Sequence, residues 1–259
     1  MATVVFVHAH PDDEALLTSG TMAMLAQREH NVIHVVATDG AAGLTNARFR
    51  QDQAAVRQVE SLASGAVLGV TQTIFLEFPD SGLHKRSETS LQTFSEIDVQ
   101  VLVERLESAL DHLHVDAIVG YDVRGGYGHP DHIQVHNLVA AYARKHPEIA
   151  WYEATRPPFP LPRAVTQFII RFNIPAARSI VEGYENASDI VEVDVSSFTD
   201  IIKASMRSHK SQLVGGLTPR SLRIFVSLPN RVFRRFFGTE VFNVQREPNV
   251  KLRELLLNS

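Results

Sequence analysis

Two short clusters in this 259-residue chain combine side chains that can hold a metal ion and activate water. The first, His8-Ala9-His10-Pro11-Asp12-Asp13-Glu14, places two histidines and three acids directly after an apolar run. The second, Gly126-Tyr127-Gly128-His129-Pro130-Asp131-His132, repeats the pattern of a turn with His-Pro-Asp, followed by a helix-like stretch. The chain has no cysteine, so a metal here must be held by His, Asp or Glu. Three such ligands with an open fourth position describe a catalytic zinc, whereas a structural site is normally closed by four. Water activated in this way also needs a carboxylate to take its proton, and of the paired acids one could ligate and the other deprotonate. Helix capping accounts for a single acid at such a position, not for Asp12, Asp13 and Glu14 together.

The remaining histidines read differently. Two-residue alternation puts His8 on the side of His10 but one step deeper, where a core histidine fits. His136 stands four residues after His132, one helical turn farther from the first cluster, which suits a supporting role. His30, His84, His112, His114 and His146 read as surface residues.

Both clusters must sit at strand ends. Thr3 to Val7, Val32 to Thr38, Thr73 to Phe78 and Val115 to Gly120 read as buried strands. Helix-like stretches lie between and after them, at about Asp13 to Arg28, Arg48 to Leu68, Phe94 to Leu113 and Asp131 to Lys145. This alternation predicts a Rossmann-like three-layer α/β/α fold with a mainly parallel sheet, whose ligand site lies beyond the carboxyl ends of the strands. In the second helix Ala54, Val56, Val59, Leu62 and Ala66 recur at near-helical spacing, and Gly69 supplies the C-cap. Arg156 to Pro162 is a proline-rich extended crossing. Beyond it, Thr166 to Phe172, Ile190 to Val195 and Val241 to Gln245 read as strands and Ser197 to His209 as a helix. The expectation is one domain over 1–259, with a core over 1–155 and a C-terminal portion over 156–259 that completes it.

Composition narrows the function further. With 44% hydrophobic residues, 21% charged residues and a net charge of −4, the chain is that of a globular protein, not a disordered one. Scattered Lys and Arg give no nucleic-acid footprint, and Arg231, Arg234 and Arg235, set among phenylalanines, read as the polar side of a packed element. No basic n-region or apolar run of about 18 residues is visible, so the expectation is a cytoplasmic protein with no membrane partner. A GxGxxG fingerprint is missing after the first strand, which argues against a dinucleotide-binding module. A metal-dependent phosphoesterase stays open, although such enzymes often use two metals and more ligands.

His10-Pro11-Asp12-Asp13-Glu14 and His129-Pro130-Asp131-His132 resemble the two signature motifs of the LmbE-like family, zinc-dependent N-acetylglucosaminyl deacetylases related to the GlcNAc-phosphatidylinositol (PIG-L) de-N-acetylases. The segment from Gly126 to His132 is similar in particular to mycothiol-pathway deacetylases that act on N-acetylglucosaminyl-inositol, and to mycothiol S-conjugate amidases. The resemblance extends to Arg57-x-x-Glu60, Phe78-Pro79-Asp80-Ser81-Gly82 and His209-Lys210-Ser211-Gln212. It implies one Zn2+ per chain held by His10, Asp13 and His132, with another divalent metal left open, and Asp12 as the base. It further implies that His129 polarises the acetyl carbonyl, that Asp131 orients or charges His129, and that Tyr127 helps stabilise the transition state. Arg57 and Asp80 match residues that hold sugar hydroxyls. The implied partner is a small amino-sugar substrate and the implied reaction is release of acetate; an amidase on a larger N-acyl or thiol-conjugate substrate is the alternative. A homo-oligomer is left open. After Asp39-Gly40, the loop Ala41-Ala42-Gly43 lacks the acidic residue frequent in relatives.

Overall fold

The computed structural model describes residues 1–42, 52–82, 92–155, 189–213 and 221–257. Seven strands form one sheet in the order β3-β2-β1-β4-β5-β7-β6. They are β1 (Thr3–His8), β2 (Asn31–Thr38), β3 (Gln72–Phe78), β4 (Ala117–Tyr121), β5 (Ala150–Thr155), β6 (Ile190–Asp194) and β7 (Thr239–Arg246). The first five pair in parallel; β7 runs antiparallel to β5 and β6.

Parallel strands covered by helices on both faces are continuous apolar runs, because neither face meets water. β1 follows the rule. Val4 and Phe6 face one core with Met22, Leu25, Val119, Tyr152, Ile202, Phe233 and Phe242, while Val5 and Val7 face the other with Leu102, Leu106, Val135 and Leu138. The helices that cover these faces are α1 (Asp13–Leu17), α2 (Ser19–Gln27), α3 (Gln53–Leu68), α4 (Val99–Leu110), α5 (Gly125–Gly128), α6 (Pro130–Lys145), α7 (Thr199–Ser208), α8 (Lys210–Leu213), α9 (Ser221–Ser227), α10 (Asn230–Phe237) and α11 (Leu252–Leu257). None of the described helices is long and apolar enough to cross a membrane.

From β1 the chain moves outward through α1 and α2 to β2 and through α3 to β3, and α4 then returns it past β1 to β4, so strand order reverses between β1 and β4. In an open α/β sheet a ligand crevice forms outside the carboxyl ends of the strands at such a switch point. β1 ends at His8 and β4 at Tyr121, so both polar clusters issue from the two strands that flank it.

Two local expectations need correction, and two features were not foreseen. The first helix is broken at Thr18 (φ −138°, ψ 4°), whose hydroxyl turns to His8 Nε2 at 3.0 Å. The stretch from Phe94 splits into a 3-10 turn, Phe94–Glu96, and α4, because Asp98 caps a new start by accepting from the Gln100 N–H. The strand β5 has no counterpart in the sequence reading, since Glu153 interrupts its apolar run. The apolar spacing in α3 marks its outer face: Val59 and Leu62 are 66% and 50% exposed, while Gln53, Arg57, Glu60, Ser61 and Ser64 point inward. The C-cap at Gly69, in the left-handed region at φ 74°, is as expected. The expected strand at Thr166 to Phe172, the proline-rich crossing and His84 lie outside the described residues.

Contact between α2 and the segment after β6 is close. Glu240 on β7 accepts the Gly20 and Thr21 N–H groups at 2.8 Å each, and a Cβ added at Gly20 would lie 2.5 Å from Val195 Cβ. Gly20→Ala should therefore destabilise by about 1–3 kcal/mol through overpacking, lowering Tm by several degrees, and should cost much less in a Val195→Gly background, which removes that Cβ. Thermal unfolding of the four variants checks this; the same loss in both backgrounds would contradict it.

Candidate active site

The turn after β1 is tight. The Asp13 N–H reaches the His10 carbonyl at 3.3 Å, and Asp13 Oδ2 returns to accept the His10 N–H at 2.9 Å. Asp12, between them, takes a left-handed backbone (φ 110°, ψ −15°) that a non-glycine residue adopts only at a cost of about 1–3 kcal/mol. From the end of β4, the Tyr121 hydroxyl donates to Asp13 Oδ2 at 2.7 Å and accepts the Ala9 N–H at 3.1 Å, joining the two strand ends. Its ring stacks on His132 with centroids 4.2 Å apart.

The second cluster is set by a helix start. Pro130 occupies the first turn of α6, and His129, extended at φ −67° and ψ 130°, is its N-cap, with Nδ1 accepting the Asp131 N–H at 3.2 Å. His132 follows within that first turn. Tyr127 stands between Gly126 (φ 68°) and Gly128 (φ 84°), where an added Cβ would meet nothing within 4 Å, so the glycines serve the backbone turn and not space. The ring of Tyr127 is 41% exposed, with centroids 5.1 Å from His132 and 5.9 Å from His129.

His10 Nδ1, Asp13 Oδ2 and His132 Nε2 face one another as a triangle with edges of 3.2, 3.3 and 3.3 Å. Ligands at about 2.0–2.1 Å from a tetrahedral centre are roughly 3.3–3.4 Å apart, so the edges suit one small cation. The far nitrogens support this reading. His10 Nε2 meets Asp131 Oδ2 at 3.1 Å, and His132 Nδ1 meets the Gly125 carbonyl at 3.2 Å. A carboxylate and a carbonyl only accept, so each of those nitrogens carries a ring proton, and the nitrogen facing the triangle is the one that would give its lone pair to an ion. Two imidazole nitrogens and a carboxylate oxygen thus converge, an arrangement that favours positive charge. Titration points the same way. Burial pulls the His10 pKa down, yet Asp13, Asp131 and Asp80 together hold it well above the usual histidine value. Burial pushes Asp13 up, yet His132 and His10 hold it well below the carboxylate range.

Around the triangle, Asp80 Oδ1 lies 3.4 Å from His10 Nε2, and Asp131 Oδ2 also accepts the Ser81 N–H at 3.0 Å. His129, with its centroid 4.6 Å from that of His10, is near enough to join His10 and His132, or His10, Asp80 and Asp131, as a candidate metal ligand. Its Nδ1 is already taken by the helix cap. Asp12 carries its carboxylate beside Arg57, with Oδ1 to Nη2 at 3.0 Å. Burial, with Asp13 and Glu14 nearby, raises the Asp12 pKa against the opposing pull of Arg57 and His209. Such a carboxylate suits proton acceptance.

His10, Asp13, His132, His129, Asp131 and Asp80 are thus brought together, with Tyr127 at the rim. Two expected roles change. The Asp131 carboxylate goes to His10 and Ser81, and only its backbone N–H touches the His129 side chain; burial, then His10 and His132, lower the His129 pKa to about 4, so that ring is neutral. Arg57 is 3% exposed and donates to the Pro11 and Gly40 carbonyls besides pairing with Asp12, so its guanidinium lines the back of the turn. His136 pairs with Glu153 at 3.1 Å, away from the triangle, and His8 is buried against His34 and Thr18. Tyr121 is a site residue that sequence reasoning missed, because a tyrosine ending a strand carries no local signal of an acid more than a hundred residues away.

Comparison with known proteins identifies the fold and the family. The chain is 30% identical over 233 residues, 82% of its length and 86% of the relative's, to the 1D-myo-inositol 2-acetamido-2-deoxy-alpha-D-glucopyranoside deacetylase of Saccharomonospora viridis. Its fold matches the zinc-inhibited form of teicoplanin deacetylase Orf2 (TM-score 0.63, 17% identity, covering 96% of this chain and 100% of that one). It also matches N,N'-diacetylchitobiose deacetylase from Pyrococcus horikoshii (TM-score 0.56, 20% identity, 93% and 84% covered). The model of the PIG-L family, described as GlcNAc-PI de-N-acetylase, matches residues 5–143, a span that holds both His-Pro-Asp clusters and every member of the triangle, and the chain belongs to that family.

Proposed function

We propose that this protein is a zinc-dependent amide hydrolase that removes the N-acetyl group from an N-acetylglucosamine-containing small molecule, leaving a free amine and acetate. The observation that carries the reading is the triangle of His10 Nδ1, Asp13 Oδ2 and His132 Nε2, with both outer imidazole nitrogens already bonded. These three residues would hold the ion. When bound, zinc supplies a Lewis acid that acidifies water and polarises the acetyl carbonyl.

The side chains around the triangle then divide the work. Asp12, raised in pKa and turned to one side by Arg57, takes the proton from the attacking water. The water oxygen bonds to the acetyl carbon, and the negative charge that develops on the carbonyl oxygen meets the His129 Nε2–H. That donor exists on a neutral ring, because Nδ1 is engaged as the helix cap and the single proton must sit on Nε2. The Tyr127 hydroxyl adds a second donor; partial burial and the surrounding carboxylates keep it protonated. As the C–N bond breaks, the proton taken by Asp12 passes to the leaving amine. Asp131 fixes the His10 ring. Arg57 and Asp80, which the resemblance assigns to sugar hydroxyls, act here as the wall behind Asp12 and His10, with Asp80 also accepting the Gly82 and Ala42 N–H groups.

Acetate release from a panel of N-acetylglucosaminyl glycosides, the inositol conjugate included, should be abolished by chelator and restored by added zinc. Release unaffected by a chelator that strips the protein of metal would contradict the reading. Among variants, Asp12→Asn should lower kcat by about 10²–10⁴-fold and His129→Ala by about 10²–10³-fold, each with close to one zinc per chain; Asp13→Ala should lose metal and activity together. Zinc content and turnover measured on the same samples separate these outcomes, and equal metal loss in Asp12→Asn would exchange the roles of the two aspartates. Tyr121→Phe removes a donor to Asp13 Oδ2 without touching the triangle's own atoms. It should weaken zinc binding by about 10–100-fold in a competition titration, and unchanged affinity would show that the hydroxyl does not tune that oxygen.

A further inference from the structure

Glu14, the third acid of the first cluster, takes no part in the triangle. Its side chain is fully buried and turns inward, where Oε1 accepts from Ser64 Oγ of α3 at 2.6 Å and from His209 Nε2 at 2.6 Å. Oε2 accepts the Asp12 N–H at 3.1 Å. His209, at the C-terminal end of α7, is buried as well. Ser205 of α7 meets Ser64 at 2.7 Å, and the residues just after His209 are tied to α3 through Glu60, which accepts the Ser211 N–H and hydroxyl at 2.6 and 2.7 Å. One carboxylate thus joins the turn after β1 to α3 and to a segment 195 residues away.

A buried ion pair is weak evidence for stability, because apolar replacements of similar volume are often neutral or better. Its geometry here points to another role. Asp12 is held in the left-handed region by two grips: Arg57 on its carboxylate and Glu14 on its N–H. Strained residues persist only when their surroundings over-determine them. We propose that Glu14 and His209 are positioning residues that fix the backbone of Asp12, and through it the direction in which the base presents its carboxylate. This rests on the reading of Asp12 as the base.

The test replaces the pair with apolar side chains. Glu14→Met/His209→Leu keeps volume while removing the acceptor for the Asp12 N–H. It should lower kcat by about 10²-fold, the typical cost of a misplaced reacting group, with KM within about threefold of wild type and one zinc per chain. In an Asp12→Asn background the same pair should change kcat by less than about threefold, because there is no base left to misplace. Glu14→Gln, which keeps an oxygen for the Asp12 N–H, should recover at least about tenfold of the loss. A similar drop in both backgrounds, or kcat within about threefold of wild type in the paired variant, would overturn the proposal. Should the paired variant not fold, His209→Gln carries the same cycle with an expected drop of about tenfold. A crystal structure of whichever variant folds should show Asp12 out of the left-handed region; an unchanged φ would overturn the proposal on its own. If wild type released no acetate from any glycoside of the panel, the functional reading would fall, and the φ of Asp12 would still decide the positioning claim.

Discussion

One carboxylate oxygen, Asp13 Oδ2, ties the site together. It accepts the His10 N–H at 2.9 Å and the Tyr121 hydroxyl at 2.7 Å, and it stands 3.2 Å from His10 Nδ1 and 3.3 Å from His132 Nε2. Those contacts draw on the turn after β1, the end of β4 and the first turn of α6. A buried carboxylate is tolerated only where its charge is answered, and here two donors and two imidazoles answer it. The switch point in strand order is what allows this, since it opens the sheet where β1 and β4 release their chains.

The proton positions of the imidazoles follow from the same economy of acceptors. Asp131 and the Gly125 carbonyl settle the protons of His10 and His132 on their outer nitrogens. The Asp131 N–H settles that of His129 on Nε2. With an ion in the triangle, the three rings would aim two ligating nitrogens and one donor at the crevice. The consequence for His129 is that it works as a neutral hydrogen-bond donor, and that Asp131 serves His10 with its side chain and His129 with its backbone.

How much of this was legible in the sequence depends on how local each feature is. The four strands of the first half and the His-Pro-Asp clusters are written in consecutive residues, and so were readable. The triangle's membership followed from a resemblance between motifs, and its geometry could not, because the two halves meet only through β1–β4 pairing. Which face of α3 turns inward was not legible, for a physical reason. Periodicity marks the apolar stripe, and the ordinary helix turns that stripe inward. In α3 the inward face meets the polar underside of the site instead, where Arg57 pairs with Asp12, Glu60 with Ser211 and Ser64 with Glu14. Polar residues at core positions with partners far along the chain leave no local signature. Tyr121 and the strand at Ala150–Thr155 went unplaced for the same reason, and His209, matched by its motif, was given no role.

The central claim is that three named atoms form the metal site. The most direct measurement is a crystal structure of the zinc-loaded protein with anomalous data collected on both sides of the zinc edge. The account predicts one ion per chain bonded to His10 Nδ1, Asp13 Oδ2 and His132 Nε2 at about 2.0–2.2 Å, with Asp131 still on His10 Nε2 and His129 unbonded to the ion. An ion held instead by His10 Nε2 with Asp80, Asp131 or His129 would contradict it.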